Sequence, residues 1–205
     1  MRAISGARGG HSSESGFAPP RPGLCPGAVL RLFVAIRPPA PVRARLLALM
    51  GGVAAARWQD EAQLHLTLRF IGEVDRHQAE DIDAALRGVR HPPFEVAIDG
   101  VRSFERRGEP VVLWAGVTPA DPVRELHKKV DQAIVRAGLP AEHRAFVPHI
   151  TLARLPRGAG PVGGFLESAG GASGAPFRVD EFRLYESRLT PDCAVYTALE
   201  RYPLG

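Results

Sequence analysis

The chain has 205 residues, of which 45% are hydrophobic, and a formal net charge of +4 at pH 7. These values are typical of one medium-sized globular domain or of two small lobes that share a core, and the weak positive charge does not by itself indicate nucleic-acid binding. No apolar run reaches the ~18 residues of a transmembrane helix, and no apolar segment follows the arginines near the N-terminus, so we expect neither a membrane span nor a signal peptide.

Residues 1–28 are rich in Gly, Ser, Pro and Arg, and several prolines interrupt any regular pattern. Such a segment buries too little apolar surface to offset the entropy that it would lose on ordering. We therefore predict that residues 1–28 are disordered and that residues 29–205 form a single domain. Cys25 and Cys193 are too few for a disulfide framework or a metal site, and we expect reduced thiols in a cytoplasmic protein.

The first elements of the domain are predicted to be a strand, a helix and a second strand. Residues 29–36 form an almost continuous apolar run, which favours an interior strand. Pro41 suits the first turn of a helix, which we place at residues 42–50, before two glycines. A second strand follows at residues 64–71, and a glycine ends it.

Further elements follow from caps and periodicity. Asp75 is placed to cap a helix, with Gln78 three residues on, and apolar residues continue at a helical period as far as Val89. Asp121 is predicted to cap a later helix that Gly138 closes. The remaining predicted elements are a strand at 94–98, a basic loop at 102–110, strands at 111–117 and from residue 149, a Gly-rich loop at 157–174, and strands at 177–185 and 194–202 with a turn around Pro191 and Asp192.

Two of these strands carry similar sequences, Leu-His-Leu-Thr-Leu at residues 64–68 and His-Ile-Thr-Leu at residues 149–152. Because successive side chains of a strand alternate between its faces, His65 and Thr67 share one face while the leucines share the other. The second copy places His149 and Thr151 in the same way. Each copy therefore predicts a strand with one apolar face and one face that carries an imidazole and a hydroxyl.

The sequences that precede the two motifs are also similar. In each half an apolar strand leads to Pro-Val-Arg, at residues 41–43 and 122–124, then to a helix, and then to the His motif. The two Pro-Val-Arg segments are 81 residues apart and the two histidines are 84 residues apart, so the halves keep their register. This duplication predicts two similar lobes, related by a pseudo-two-fold axis that brings the His-x-Thr faces together.

Two histidines that face each other can supply an acid and a base, because the unperturbed pKa of an imidazole is about 6.5. Such a pair suits hydrolysis of a phosphodiester, in which one histidine takes a proton from water and the other protonates the leaving ribose oxygen. A threonine two residues further on can hydrogen-bond the phosphate oxygens. This chemistry requires no metal.

Three other readings of the motifs remain open. A zinc site needs three or four His, Cys or carboxylate ligands, and no third ligand recurs at a fixed spacing. A Ser–His–Asp hydrolase needs a nucleophile elbow, and the chain contains no Gly-x-Ser-x-Gly. Both histidines could also be structural residues, although the repeated pairing with threonine argues against that reading.

The chain resembles the 2H phosphoesterase superfamily, whose mark is two His-x-Thr/Ser motifs. Within it the chain is similar to bacterial RNA 2′,3′-cyclic phosphodiesterases, long called 2′-5′ RNA ligases. The resemblance covers about residues 29–203. The residues that carry it are the strand at 31–36, the motif segments at 65–74 and 148–154, the strand segment at 182–187, and Tyr196.

The resemblance implies an α+β bilobal fold, with two pseudo-symmetric lobes that each contain an antiparallel sheet with flanking helices, and an active-site cleft between them. It implies that His65 is the proton donor and His149 the proton acceptor. Thr67, Thr151 and Arg154 would bind the phosphate. We expect no cofactor and no metal.

The implied reaction opens a 2′,3′-cyclic phosphate at an RNA end to leave a 2′-phosphate. The expected partner is an RNA end, whether derived from tRNA or from another RNA, or a small cyclic nucleotide, and the expected protein is a cytoplasmic monomer that does not bind membranes. Two alternatives stay open: 2′-5′ RNA ligase activity at the same site, and a non-catalytic module that binds RNA or nucleotides.

Other residues near the motifs are open to two interpretations. Arg69 would share a face with His65 in a regular strand, where it could meet RNA phosphate or lie solvated at the rim. Phe70 could stack on a base, but alternation places it in the core. The basic loop at 102–110 could hold an RNA strand, although a solvated loop is the simpler reading, and His143 is expected to be an exposed loop residue.

Overall fold

The structure, a computed structural model, describes residues 29–190 and 194–205. The disorder predicted for residues 1–28, the predicted turn around Pro191 and Asp192, and both cysteines lie outside the described residues. In the part of the chain that is described, no helix is long and apolar enough to cross a membrane.

The described residues form nine strands, four α-helices and one short 3₁₀ helix. The strands are β1 (Leu30–Ile36), β2 (Arg57–Trp58), β3 (Leu66–Val74), β4 (Phe94–Arg106), β5 (Glu109–Thr118), β6 (His149–Arg154), β7 (Phe177–Val179), β8 (Glu181–Leu189) and β9 (Ala194–Pro203). The helices are α1 (Ala40–Leu49), α2 (Arg76–Arg87), α3 (Asp121–Arg136) and α4 (Gly163–Ala169), and the 3₁₀ helix is Glu61–Gln63.

The strands form a sheet in the order β7-β4-β5-β6-β3-β1-β8-β9, with β2 paired to β6, and every pairing is antiparallel. We call β3, β1, β8 and β9 the first lobe, and β6, β5, β4 and β7 the second lobe. The lobes meet at the β3–β6 pair, where Leu66 lies opposite Ile150. The predicted α+β architecture with two antiparallel lobes is therefore confirmed, and the two lobe sheets are continuous.

Helices α2 and α3 cover the apolar side of the sheet because each carries an apolar stripe at helical spacing. Helix α3 packs against α2 and against strand β3, and its buried residues are Val123, Leu126, Val130, Ala133 and Ile134. The predicted cap of α2 is confirmed, since the Asp75 side chain accepts a hydrogen bond from the Gln78 backbone N–H at 2.8 Å. The predicted cap of α3 is wrong: Asp121 is the first helical residue, and its carboxylate pairs with Arg124.

Two predicted loops contain regular structure. Strand β4 continues to Arg106, so the basic stretch is a hairpin whose turn is Arg107-Gly108, with φ values of 57° and 79°. Two positive φ angles are what a tight two-residue hairpin requires, and the sequence pattern did not reveal it because arginine rarely adopts this conformation. The Gly-rich segment at 157–174 contains helix α4, which buries Phe165 and Ala169.

The strand predicted at 177–185 is two strands that belong to different lobes. Strand β7 pairs with β4 in the second lobe, and β8 pairs with β1 in the first lobe. Asp180 alone separates them. The chain therefore crosses from one lobe to the other within one residue, which a continuous apolar pattern could not indicate.

A β-bulge in β3 overturns both interpretations of Arg69 and the core placement of Phe70. Ala35 of β1 pairs with Thr67 and Val34 pairs with Arg69, so Leu68 is an extra residue that reverses the alternation after it. Arg69 consequently points into the protein and is only 8% exposed, while Phe70 is 46% exposed on the opposite face. Neither position follows from regular alternation.

Arg69 has a structural role that links β3 to helix α3 and to the segment after it. Its Nε atom lies 2.8 Å from Asp131 Oδ1, and its Nη1 atom lies 3.2 Å from Glu142 Oε2. Its Nη2 atom donates a hydrogen bond to the Pro140 carbonyl oxygen at 2.7 Å. A buried guanidinium is tolerated here because carboxylates and carbonyls surround it.

We predict that Arg69→Ala lowers the free energy of unfolding by about 2–3 kcal/mol, because it leaves two partly buried carboxylates without their cation. Denaturant-induced unfolding measures this loss. The matched control is Arg76→Ala, which removes an exposed i,i+4 pair with Glu80 and should change stability by less than about 0.5 kcal/mol. Equal losses in the two variants would contradict the structural role of Arg69.

Candidate active site

The two His-x-Thr motifs lie side by side at the junction between the lobes. His65 directly precedes β3, and His149 is the first residue of β6. Since Leu66 lies opposite Ile150 in an antiparallel pair, the register places His65 opposite Thr151 and His149 opposite Thr67. We call the sheet face that carries these four side chains the cleft face.

Burial confirms which face each motif residue occupies. Leu66, Leu68, Ile150 and Leu152 are fully or almost fully buried in the core, whereas the two histidines and two threonines are partly exposed. The predicted alternation therefore holds through each His-x-Thr-Leu segment. The duplication has brought together the two polar faces that the sequence identified.

The same backbone contact orients both imidazoles. The His65 Nδ1 atom lies 2.7 Å from the Gln63 carbonyl oxygen, and the His149 Nδ1 atom lies 2.8 Å from the Val147 carbonyl oxygen. A carbonyl oxygen can only accept, so each Nδ1 carries the proton and donates it. Each Nε2 is then the nitrogen left to exchange a proton, accepting when the ring is neutral and donating when it is protonated.

A short capped turn positions the carbonyl that holds His65. The Asp60 side chain accepts a hydrogen bond from the Gln63 backbone N–H at 2.8 Å, and the Gln63 side chain accepts one from the Asp60 N–H at 3.1 Å. The Gln63 amide also donates to the Ala194 carbonyl oxygen of β9 at 2.9 Å. This capping box fixes the turn against the edge of the first lobe.

Aromatic rings form the walls around both histidines. In the first lobe the Phe33 and Tyr196 ring centroids lie 4.8 Å and 5.2 Å from that of His65, and Tyr185 stacks on Phe33 at 5.1 Å. In the second lobe the Phe104 and Trp114 centroids lie 4.9 Å and 5.8 Å from that of His149. These rings hold the imidazoles in place and restrict their contact with water.

Sequence analysis did not predict that these aromatic residues line the site. The strands that carry Phe33 and Trp114 are apolar on both faces, so no alternation distinguished a cleft side from a core side. Phe104 fell in a segment that was assigned to a loop. Strand pairing is the signal that could have found Phe33. Because β1 lies beside β3 and Ala35 lies opposite Thr67, Phe33 and Ala35 share the face of Thr67.

Burial depresses the basicity of both histidines. Desolvation, with smaller contributions from the charges of His149 and Arg154, lowers the pKa of His65 to about 4. Desolvation also lowers the pKa of His149, and the Arg154 charge adds to that shift. Both shifts favour the neutral form of the ring at pH 7.

Arg154 is placed beside the histidines by a second β-bulge. Trp114 of β5 pairs with Thr151 and Leu113 pairs with Ala153, so Leu152 is the extra residue in β6. The bulge returns Arg154 to the cleft face, where its charge acts on both imidazoles. Regular alternation would have put Arg154 on the opposite face, and only the family resemblance pointed to it.

The other basic and histidine candidates lie further out. Arg102 belongs to β4, and its guanidinium lies 5.6 Å from the Trp114 ring centroid, at the edge of the second-lobe wall. His143 is exposed in the segment between α3 and β6, as expected. Within the described residues, no group of three or more His, Cys, Asp or Glu side chains is arranged to hold a metal ion.

Comparison with known proteins gives matches over most of the chain. A family model described as the 2′-5′ RNA ligase superfamily matches residues 33–190. The RNA 2′,3′-cyclic phosphodiesterase of Archaeoglobus fulgidus is 30% identical over 173 residues, which cover 83% of this chain and 98% of the relative. The protein of the same name from Escherichia coli is 31% identical over 180 residues, which cover 85% of this chain and 96% of the relative.

A solved structure has a similar fold. The crystal structure of E. coli LigT complexed with 3′-AMP aligns with a TM-score of 0.70 and 27% sequence identity. The alignment covers 86% of this chain and 99% of that chain. The similarity therefore extends through both lobes and is not confined to the motif strands.

We predict that the His65 imidazole titrates near pH 4 in the absence of ligand, well below the value of about 6.5 for an unperturbed histidine. Removing the nearby positive charge with Arg154→Gln should raise the pKa of both His65 and His149, because that charge disfavours the imidazolium forms. NMR titration of the ring protons measures both shifts. Arg154→Lys keeps the charge and is the control, and an unchanged His65 titration in Arg154→Gln would contradict the assigned coupling.

Proposed function

The chain belongs to the 2′-5′ RNA ligase superfamily, and we propose that it hydrolyses RNA ends that carry a 2′,3′-cyclic phosphate, with His65 and His149 as its acid and base. It is an RNA 2′,3′-cyclic phosphodiesterase, the activity named for relatives that match it over most of its length. The family resemblance drawn from the motifs is thus confirmed. The observation that carries the proposed mechanism is the pair of imidazoles on one sheet face, each held by a contact from Nδ1 to the carbonyl oxygen two residues before it.

The cleft face supports binding of a phosphate between the two rings. Each Nε2 is free of the backbone contact that holds Nδ1, so both can approach oxygens of one phosphate group. The Thr67 and Thr151 hydroxyls lie on the same face and can donate hydrogen bonds to the non-bridging oxygens. The Arg154 guanidinium would add a positive charge that stabilises the developing negative charge in the transition state.

In the proposed reaction the His149 Nε2 takes a proton from a water molecule, and the water oxygen attacks phosphorus. The bond between phosphorus and the 3′ oxygen breaks, and the His65 Nε2 gives its proton to that oxygen. The product carries a 2′-phosphate and a free 3′ hydroxyl. The two rings finish in exchanged protonation states, and a proton transfer through solvent restores them.

The low pKa of His65 suits the role of acid once substrate is bound. An anionic phosphate beside the ring favours the imidazolium form and raises the pKa from its value in the empty cleft. As the negative charge moves onto the leaving oxygen, the desolvated imidazolium gives up its proton readily. The substrate would therefore supply the charge that makes His65 a donor.

Ligation is the second candidate, favoured by the name of the superfamily. The same two histidines could activate the 5′ hydroxyl of a second RNA in place of water, which would leave a 2′-5′ linkage. Nothing in the arrangement of the motif residues separates a water from a hydroxyl nucleophile. Product analysis with one RNA strand and with two RNA halves distinguishes the two reactions.

We predict that His65→Ala and His149→Ala each reduce the hydrolysis of a 2′,3′-cyclic phosphate end by about 10³-fold or more, because each removes one proton-transfer group. Chromatography of the product, with the position of its phosphate determined, measures the rate. His143→Ala, which removes an exposed histidine, is the control and should keep full activity. Full turnover in either motif variant would refute the two-histidine mechanism.

We also predict that hydrolysis proceeds without a metal ion, since the proposed steps need only imidazoles, hydroxyls and a guanidinium. The rate of the wild-type protein should be the same in EDTA as in untreated buffer. The measurement is the initial rate before and after chelation, followed by addition of Mg²⁺, Mn²⁺ or Zn²⁺. A loss of activity in EDTA that one of these ions restores would show that the proposed mechanism lacks a component.

A further inference from the structure

A cavity of about 510 Å³ lies at the end of β1, where the chain also crosses between the lobes. Its walls come from the residues that follow β1, from the start of α1, from the β7–β8 connection and from β9. Five arginines line it against two acidic residues, so the lining has an excess of three positive charges. The charged residues are Arg37, Arg43, Arg178, Arg183, Arg201, Asp180 and Glu181.

Three of these arginines form no ion pair with any residue that the structure describes. Arg183 pairs with Glu181, and Arg43 pairs with Glu61 at 2.8 Å. Among the described residues, no ion pair involves Arg37, Arg178 or Arg201. An unneutralised cluster of guanidinium groups around a cavity favours an anion with several oxygens, because each guanidinium offers a planar set of donors.

The cavity adjoins the cleft face. Arg183 lies opposite Ala35 on β8, and Ala35 lies opposite Thr67. These three residues form a row across the first lobe, and two strand spacings separate the Arg183 and Thr67 Cα atoms by about 10 Å. Ala35 also packs with Phe33 and Tyr185, which form the wall beside His65. A ligand in the cavity is therefore next to the catalytic cleft.

We propose that this arginine cavity binds an internal phosphodiester of the RNA strand, upstream of the cyclic phosphate. The inference rests on the proposed function. A strand that ends in a cyclic phosphate has all of its other phosphates on the 5′ side, so a second phosphate contact must come from a preceding nucleotide. The cavity then makes the enzyme favour an oligonucleotide over a mononucleotide that carries the same reactive group.

The test compares two substrates, a nucleoside 2′,3′-cyclic monophosphate and an oligoribonucleotide with a 2′,3′-cyclic phosphate end. The variant is the double substitution Arg178→Gln and Arg201→Gln, which alters two exposed arginines with no ion pair among the described residues. The control is Arg76→Gln with Arg124→Gln, which removes the same charge from exposed positions on α2 and α3. Steady-state rates at several salt concentrations give kcat and KM for both substrates.

We expect the cavity variant to lower kcat/KM for the oligonucleotide about tenfold, mainly through KM, since the lost contact is made equally in the ground state and the transition state. The mononucleotide rate should change less than about twofold. The dependence of log kcat/KM on log salt should become shallower by about 0.7 for the oligonucleotide, the value for one phosphate contact on a single strand.

The outcomes separate the two proposals. Suppose that the wild-type protein hydrolyses both substrates. If the cavity variant then loses the same activity on both substrates, or loses no activity on either, the phosphodiester site is refuted and the proposed function stands. The site is also refuted if the wild-type preference for the oligonucleotide over the mononucleotide persists unchanged in the cavity variant. If the wild-type protein hydrolyses neither substrate, the proposed function fails, and the cavity proposal fails with it.

Discussion

The register of one strand pair determines the whole site. Leu66 and Ile150 lie opposite each other between the lobes, and both are buried in the core. Because side chains alternate along a strand, a slip of one residue in either strand would bury the imidazole of that strand and expose its aliphatic chain. The same burial that holds the two lobes together therefore keeps His65 and His149 on one face. Stability and placement of the candidate catalytic groups have a common origin.

The walls of the cleft extend this argument to electrostatics. Phe33 and Trp114 are almost fully buried and pack against the imidazoles. These rings therefore exclude water from one side of each imidazole. Burial disfavours the imidazolium form, which explains why the pKa values of both histidines are lowered. The cleft is thus arranged around neutral rings, and an anionic ligand is what would make a protonated ring favourable.

Sequence reasoning recovered what depends on local alternation and on capping. The His-x-Thr faces and the Asp75 cap follow from residues close together in the chain, and the duplication follows from similar segments 81 to 84 residues apart. It failed where distant strands impose a bulge. The extra residue Leu68 exists because β3 pairs with β1, some thirty residues away, and that pairing decides the orientations of Arg69 and Phe70. Regular alternation contains no information on such pairings.

The two bulges are themselves a product of the duplication. Leu68 follows His65 by three residues, and Leu152 follows His149 by three residues. Each bulge turns the residue two positions later onto the cleft face, which is Phe70 in one lobe and Arg154 in the other. The two strands therefore place the histidines in the same way, and the residues at the equivalent positions differ. Arg154 of the second lobe lowers the pKa of both histidines, and Phe70 of the first lobe carries no charge to balance it.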